Sequence, residues 1–100
     1  MKRKIMEGRN TFLDDKSRQN IVSYYLMEDR EREVYGVAVE KFREGSDEIE
    51  WDAVPALSHS PESARRMVRY LMEYQVTPMT LAVAVDTIQW MEDQDGNTIL

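Results

Sequence analysis

The sequence predicts an α+β domain in which a three-stranded antiparallel sheet, a meander, precedes two helices packed on one of its faces. Two observations support this fold class. Three short segments rich in β-branched and aromatic residues come first, separated by charged or glycine-containing stretches that are typical of turns. Two segments with helical spacing of apolar residues then follow, and each opens on a helix start signal.

The first two predicted strands cover residues 20–28 and 33–43, and the charged run 28–32 between them predicts a solvated hairpin loop. Gly36 lies inside the second strand. A glycine there indicates a bulge or the close approach of another backbone. Residues 44–47 have the composition of a turn and lead into the third strand.

The third strand has the clearest pattern, because apolar and acidic residues alternate strictly from 48 to 53. Period-two alternation predicts one buried face and one solvated face, so we expect the apolar side to lie under the helices. Pro55 is expected to end the strand. The apolar members are Ile49, Trp51 and Ala53, and the acidic members are Glu48, Glu50 and Asp52.

Both helices begin on a capping residue followed by proline. Ser60 and Pro61 predict a helix that runs to about Tyr74, and Thr77 and Pro78 predict a second that ends near residue 93. The predicted organisation is therefore a polar lead-in at 1–19, one domain at 20–93 and a C-terminal tail at 94–100. The lead-in is interpreted as mobile, and docking of its Phe12 and Leu13 on the domain or on a second copy is the alternative.

The chain has 100 residues, no cysteine and a formal net charge of −6. The missing cysteines and the lack of a signal-like or bilayer-length apolar stretch favour a cytoplasmic protein that does not contact membranes. Acidity disfavours nucleic acid as a partner, since phosphate binding depends on Lys and Arg. The basic residues near the start of the chain, at 2–4 and 9, are the alternative site for nucleic acid.

Several short motifs resemble a family of small uncharacterised proteins from anaerobic Gram-positive, clostridial-type bacteria that is known only as a domain of unknown function. The resemblance covers about residues 22–92 and implies a cytosolic bacterial protein. It implies no activity and no functional residues. The motifs are Tyr24-Tyr25-Leu26, Tyr35-Gly36-Val37, Ser60 at a helix start, and Val76-Thr77-Pro78 followed by Leu81.

Residues able to carry out catalysis are few. His59 is the only histidine, which rules out a pair of histidine metal ligands. It is interpreted as a surface residue near a helix start, and the alternative is a general base beside Ser58 or Ser60. We therefore expect no enzyme activity, no catalytic or metal-binding residues and no cofactor.

Arg65, Arg66 and Arg69 fall in the first turns of the first helix, where the helix dipole attracts anions. A solvated helix face with ion pairs is the favoured interpretation. An anion site formed by these arginines, with His59 nearby, is the alternative, and it would make the protein a small-ligand binder or an enzyme.

The aromatic residues exceed what two helices on one sheet face can cover, and apolar residues occur on both faces of the first two strands. Aromatic residues are enriched in protein interfaces. The specific function stays unknown, but the pattern favours a non-catalytic protein-interaction or regulatory module that binds a protein partner or forms a homodimer. The candidate interaction residues are Tyr24, Tyr25, Tyr35 and Trp90.

Overall fold

A computed structural model describes the backbone of residues 2–99 and the side chains of residues 2–93. It contains an antiparallel sheet with strand order β1-β2-β3-β4, followed by two helices. The α+β class and the two helices are confirmed, but the sheet has four strands rather than three. The strands are β1 (Lys2–Leu13), β2 (Gln19–Asp29), β3 (Val34–Arg43) and β4 (Ile49–Ser58); the helices are α1 (Pro61–Glu73) and α2 (Leu81–Ile99), with a 3₁₀ turn at Pro78–Thr80 before α2.

The additional strand, β1, lies in the segment expected to be a polar lead-in outside the sheet. Its pairing with β2 shifts register between Met6 and Gly8, which interrupts any alternation of apolar residues. The side of β1 toward the helices also includes polar Asn10, whose amide donates to the carbonyl of Met72 at 3.0 Å. Strand β1 therefore has no clear alternation of apolar residues, and it is a strand because its backbone pairs with that of β2.

The turn between β1 and β2 is organised by Asp14. Its Oδ1 accepts the backbone N–H groups of Lys16 and Arg18 at 2.9 and 3.0 Å, and its Oδ2 accepts from the Arg18 guanidinium at 3.0 Å. The N–H donated by Arg18 is the main reason that the pKa of Asp14 falls to about 2. Fully buried Asn20 also donates to Oδ2, at 3.4 Å, so one carboxylate connects the turn to the sheet.

The core lies between one face of the sheet and the two helices. Neighbouring strands place Tyr24 opposite Val39 and Leu26 opposite Val37, and these four side chains have no measurable exposure. Leu71 of α1 lies in the same cluster and is equally buried. The helices contribute Ala64, Met67, Val68, Leu71, Leu81, Val85 and Ile88 to this core.

The side of β4 that faces the helices is the opposite of the predicted one. Register pairs Asp52 with Val39 and Trp51 with Glu40, so the even-numbered side chains of β4 share the face of the core valines. Trp51 and Ile49 point away from the helices and are 68% and 56% exposed. The alternation predicts two distinct faces, but only pairing with β3 determines which of them the helices cover.

Gly36 lies where β3 meets β4 at a register irregularity. A Cβ atom at this position would come within 2.1 Å of the Val54 carbonyl oxygen and 2.5 Å of the Pro55 carbonyl carbon. The expectation that another backbone approaches Gly36 is therefore confirmed. Strand β4 continues through Pro55 to Ser58, because β4 is an edge strand and tolerates a missing donor.

Both predicted helix starts are present. The Ser60 hydroxyl accepts the Ser63 N–H at 3.2 Å, and the Thr80 hydroxyl accepts the Thr77 N–H at 3.2 Å. Helix α2 extends to Ile99, so residues 94–99 of the predicted tail are helical, whereas Leu100 lies outside the described residues. Among the described helices, none is long and apolar enough to span a membrane.

Candidate interaction surface

The sheet has one face that the helices leave uncovered, and we call it the open face. It is formed by alternate residues of all four strands, and register places Phe42 beside Ile49 and Met6 beside Tyr25. Several large side chains here are well exposed, with Trp51 the most exposed of the aromatic ones. The apolar members are Met6, Leu13, Ile21, Tyr25, Met27, Val34, Ala38, Phe42, Ile49, Trp51 and Ala53.

A polar cluster occupies the middle of the open face. The Lys4 ammonium lies 2.5 Å from a Glu40 carboxylate oxygen, and the Tyr25 hydroxyl donates to the other oxygen at 3.0 Å. The same ammonium lies 4.5 Å from the centroid of the Tyr25 ring, in cation–π geometry. Lys4, Glu40 and Tyr25 thus join β1, β2 and β3 through side chains as well as through the backbone.

The pKa values in this cluster shift together. The hydrogen bond between Lys4 and Glu40 raises the pKa of the ammonium and lowers that of the carboxyl, so both charged forms are favoured. Burial and the bond to Glu40 raise the pKa of Tyr25, which keeps its hydroxyl protonated. At neutral pH the cluster therefore holds one positive and one negative charge that satisfy each other.

A shallow depression of about 270 Å³ adjoins this cluster. Trp51 forms one wall and Met27 another, while small Ala38 and Ala53 leave the space between them open. The depression is therefore large enough to receive one bulky apolar side chain from another molecule.

The open face differs in charge from the rest of the chain. Its alternating positions hold three basic residues and two acidic ones, so its formal charge is +1 in a chain of −6. The acidic excess is therefore located elsewhere on the molecule. The charged members are Lys2, Lys4, Arg9, Asp29 and Glu40.

The four aromatic residues expected to form one interaction surface lie in different places. Tyr24 is fully buried and its hydroxyl donates to the Val76 carbonyl at 2.8 Å, so Tyr24 is a core residue. Tyr25 lies on the open face, while Tyr35 is half-buried on the helix-covered side. Trp90 is 63% exposed on α2. Only Tyr25 thus belongs to the open face.

The three arginines of the proposed anion site are exposed on α1. Arg65 lies 3.4 Å from a Glu7 carboxylate oxygen, and Arg66 lies 3.4 Å from one of Glu92. Both carboxylates come from other elements, β1 and α2, rather than from neighbouring turns of α1. Arg69, one turn further along, has the same exposed setting.

His59 and the neighbouring serines form hydrogen bonds that stabilise the segment before α1. The His59 Nδ1 atom lies 3.0 Å from the Glu33 carbonyl oxygen, while Ser58 accepts the Ser60 N–H at 3.0 Å. Ser60 caps α1, as described above. Within the described residues no hydrogen bond links His59 to either serine, and no group of His, Asp and Glu side chains has metal-binding geometry.

Most residues of the open face were not singled out from the sequence, although a signal for them was present. Apolar residues occur at both odd and even positions of β2 and β3, which indicates a sheet with two apolar faces. Placing Trp51 in the core hid this signal, because it gave a covered position to the most exposed aromatic residue of the open face.

Together these features define a small α+β domain whose sheet is covered by helices on one side and presents an apolar, nearly neutral surface on the other. The chain belongs to a family of unknown function, DUF6514, whose model matches residues 3–90. The match includes β1, which the resemblance seen in the sequence had left out. No curated protein and no solved structure matches the chain.

Proposed function

We propose that this protein is a non-catalytic interaction module that forms a homodimer through the open face of its sheet. The observation that carries the proposal is the exposure of Trp51, Ile49 and Phe42 side by side on an uncovered sheet face. Exposed apolar patches of this kind mark interaction sites, because covering them removes apolar surface from water.

The size of the open face fits a second copy of the chain. Four strands of about ten residues span roughly 19 Å by 33 Å at ordinary strand spacing and rise, or about 630 Å². Stable interfaces cover about 800 Å² of accessible surface on each partner, and a corrugated face exposes more area than its flat outline. Two open faces packed about 10 Å apart would form an ordinary β-sandwich.

Charge also favours a second copy. Two faces of formal charge +1 repel only weakly, whereas the acidic remainder of each chain stays outside the interface. Lys4 and Glu40 supply one charge of each sign near the centre and pair within one chain, so a two-fold related copy meets no unpaired charge there. A face with this composition is therefore compatible with a copy of itself.

Size-exclusion chromatography with light scattering tests the proposal. The wild-type chain is expected at twice its monomer mass of 11.8 kDa. Trp51→Glu places a carboxylate among the apolar side chains of Ile49 and Phe42 and is expected to elute as a monomer. Trp90→Glu is the matched control, because it makes the same change at an equally exposed tryptophan on α2 and is expected to stay dimeric.

Circular dichroism of both variants checks that each retains the wild-type fold. A wild-type chain that remains a monomer at millimolar concentration contradicts the homodimer. So does a folded Trp51→Glu variant with the same mass as wild type.

The proposal also includes a cytoplasmic location and a regulatory role. An origin in anaerobic Gram-positive bacteria stays a prediction from the sequence. The location is tested by fractionating cells that express the tagged full chain. Recovery with the membrane or secreted fraction would contradict it.

A further inference from the structure

Helix α2 borders a second apolar surface, on the opposite side of the molecule from the open face. An apolar groove of about 400 Å³ runs between the end of α1 and α2. Beside it, Val83 and Trp90 are 70% and 63% exposed. We call this surface the α2 groove, and its lining consists of Tyr74, Val76, Ala84, Thr87, Ile88 and Met91.

The exposed apolar residues of α2 follow helical spacing. Trp90 and Met91 follow Val83 by seven and eight positions, and Thr87 lies four positions after Val83. Residues at such intervals lie along one side of a helix, where they match the i, i+4, i+7 anchors of a second helix. The geometry of the α2 groove therefore fits a helical segment laid along α2.

The charged residues of α2 are all acidic. From residue 70 to the end of the sequence there is no Lys or Arg, whereas the same stretch contains Glu73, Asp86, Glu92, Asp93 and Asp95. Of these, Glu92 is paired with Arg66 of α1, and Glu73, Asp86 and Asp93 are exposed. A helix with basic residues beside its apolar anchors would find complementary charge here.

We propose that the α2 groove is a docking site for a basic amphipathic helix of another protein. A second copy of this chain is a poor occupant, because pairing two α2 helices would bring Asp86 and Asp93 of both copies together without any basic residue. The proposal goes beyond the homodimer and does not depend on it, since the groove lies on the helices and the dimer contact on the open face.

The two tryptophans allow each surface to be followed separately. In a Trp51→Phe variant the only tryptophan is Trp90, next to the groove. The probe is a synthetic amphipathic helix of about 14 residues, made of leucine and lysine and long enough for four turns. Binding is expected to shift Trp90 emission to shorter wavelength, to saturate, and to weaken as salt is added.

A charge-adding substitution separates groove binding from general attraction to an acidic protein. Val83→Glu makes the chain more acidic and would strengthen purely electrostatic association. It also places a carboxylate beside the groove, and we expect it to raise Kd at least about tenfold, the size of a hot-spot loss. Ala82→Glu is the matched control: it adds the same charge at an exposed neighbour that lies off the side of α2 shared by Val83 and Trp90, and Kd is expected to stay within about twofold of the unsubstituted value.

Five results would overturn the proposal. The first two are the absence of a saturable shift and equal binding of a leucine and lysine peptide with scrambled order. The third is a Val83→Glu Kd within about twofold of the parent value, and the fourth is an equal shift with phosphatidylcholine vesicles alone, which would indicate a lipid surface. A response from Trp51 in the Trp90→Phe chain, with none from Trp90, would place the peptide on the open face and also refute it.

Discussion

Replacing Gly36 with alanine tests the contact between β3 and β4 that positions the outer strand of the open face. The new Cβ atom would lie 2.1 Å from the Val54 carbonyl oxygen, whereas ordinary carbon–oxygen contacts are about 3.3 Å or longer. The two strands would have to separate locally by about 1 Å. A ladder hydrogen bond lengthened by that amount is lost.

The expected cost follows from these distances. Losing one or two ladder hydrogen bonds costs about 1 kcal/mol each, and overpacking adds about 1–3 kcal/mol. Removing the flexibility of glycine offsets about 0.5–1 kcal/mol of this. We therefore expect Gly36→Ala to lower the free energy of unfolding by about 1–4.5 kcal/mol, with a middle value of about 3 kcal/mol. Its φ angle lies outside the left-handed region, so the loss comes from contact rather than from backbone strain.

Urea denaturation followed by circular dichroism, at one fixed protein concentration, measures this loss. Gly8→Ala is the matched control. Its Cβ atom would also come too close to a neighbour, at 2.3 Å, but that neighbour is the end of the flexible Met72 side chain. Because Met72 can move aside, we expect a loss of about 1 kcal/mol or less. Equal losses in the two variants would refute the reasoning.

Two further predictions concern single polar groups. Tyr24→Phe removes a buried hydroxyl and leaves the Val76 carbonyl without its donor, so urea denaturation should show a loss of about 1–2 kcal/mol; a loss no larger than that of Tyr25→Phe on the open face would contradict this. Asp14→Asn should lower the melting temperature at pH 7. The folded pKa of Asp14 is about 2, below its ordinary value of 3.8, so its stabilisation exists above pH 4 and disappears as pH falls through 2. The difference in melting temperature should therefore narrow in acid, and a difference that widens would contradict the assignment.

The sequence predicted well wherever a local signal was strong. Runs of β-branched and aromatic residues located β2 and β3, and the Ser60-Pro61 and Thr77-Pro78 pairs located both helix starts. In each case neighbouring residues contain the whole signal, through propensity or through a side chain that caps the backbone next to it. The backbone approach at Gly36 was also evident locally, since only glycine lacks a Cβ atom.

The missing strand shows what such signals do not contain. Strand β1 is stabilised by pairing with β2, by the Asp14 turn and by the bond from Asn10 to α1. Met72, which accepts from Asn10, is distant in sequence, and the pairing exists only once β1 lies beside β2. The Asp14 turn is local, but a polar turn alone does not predict a strand before it. Residues 2–13 are mostly polar and their register shifts, so the sequence predicted a tail. Only the pairing with β2 shows that they form a strand.

The candidate interaction surface depended still more on the tertiary structure. Alternation in β4 established by itself that Trp51 and Asp52 face opposite ways, because side chains of a strand alternate. Which of the two faces the helices cover was decided by register with β3, since one residue of slip exchanges the faces. The chain alone thus determined the strands, the helix starts and an excess of apolar surface, and the packing of distant elements decided which part of that surface stayed exposed.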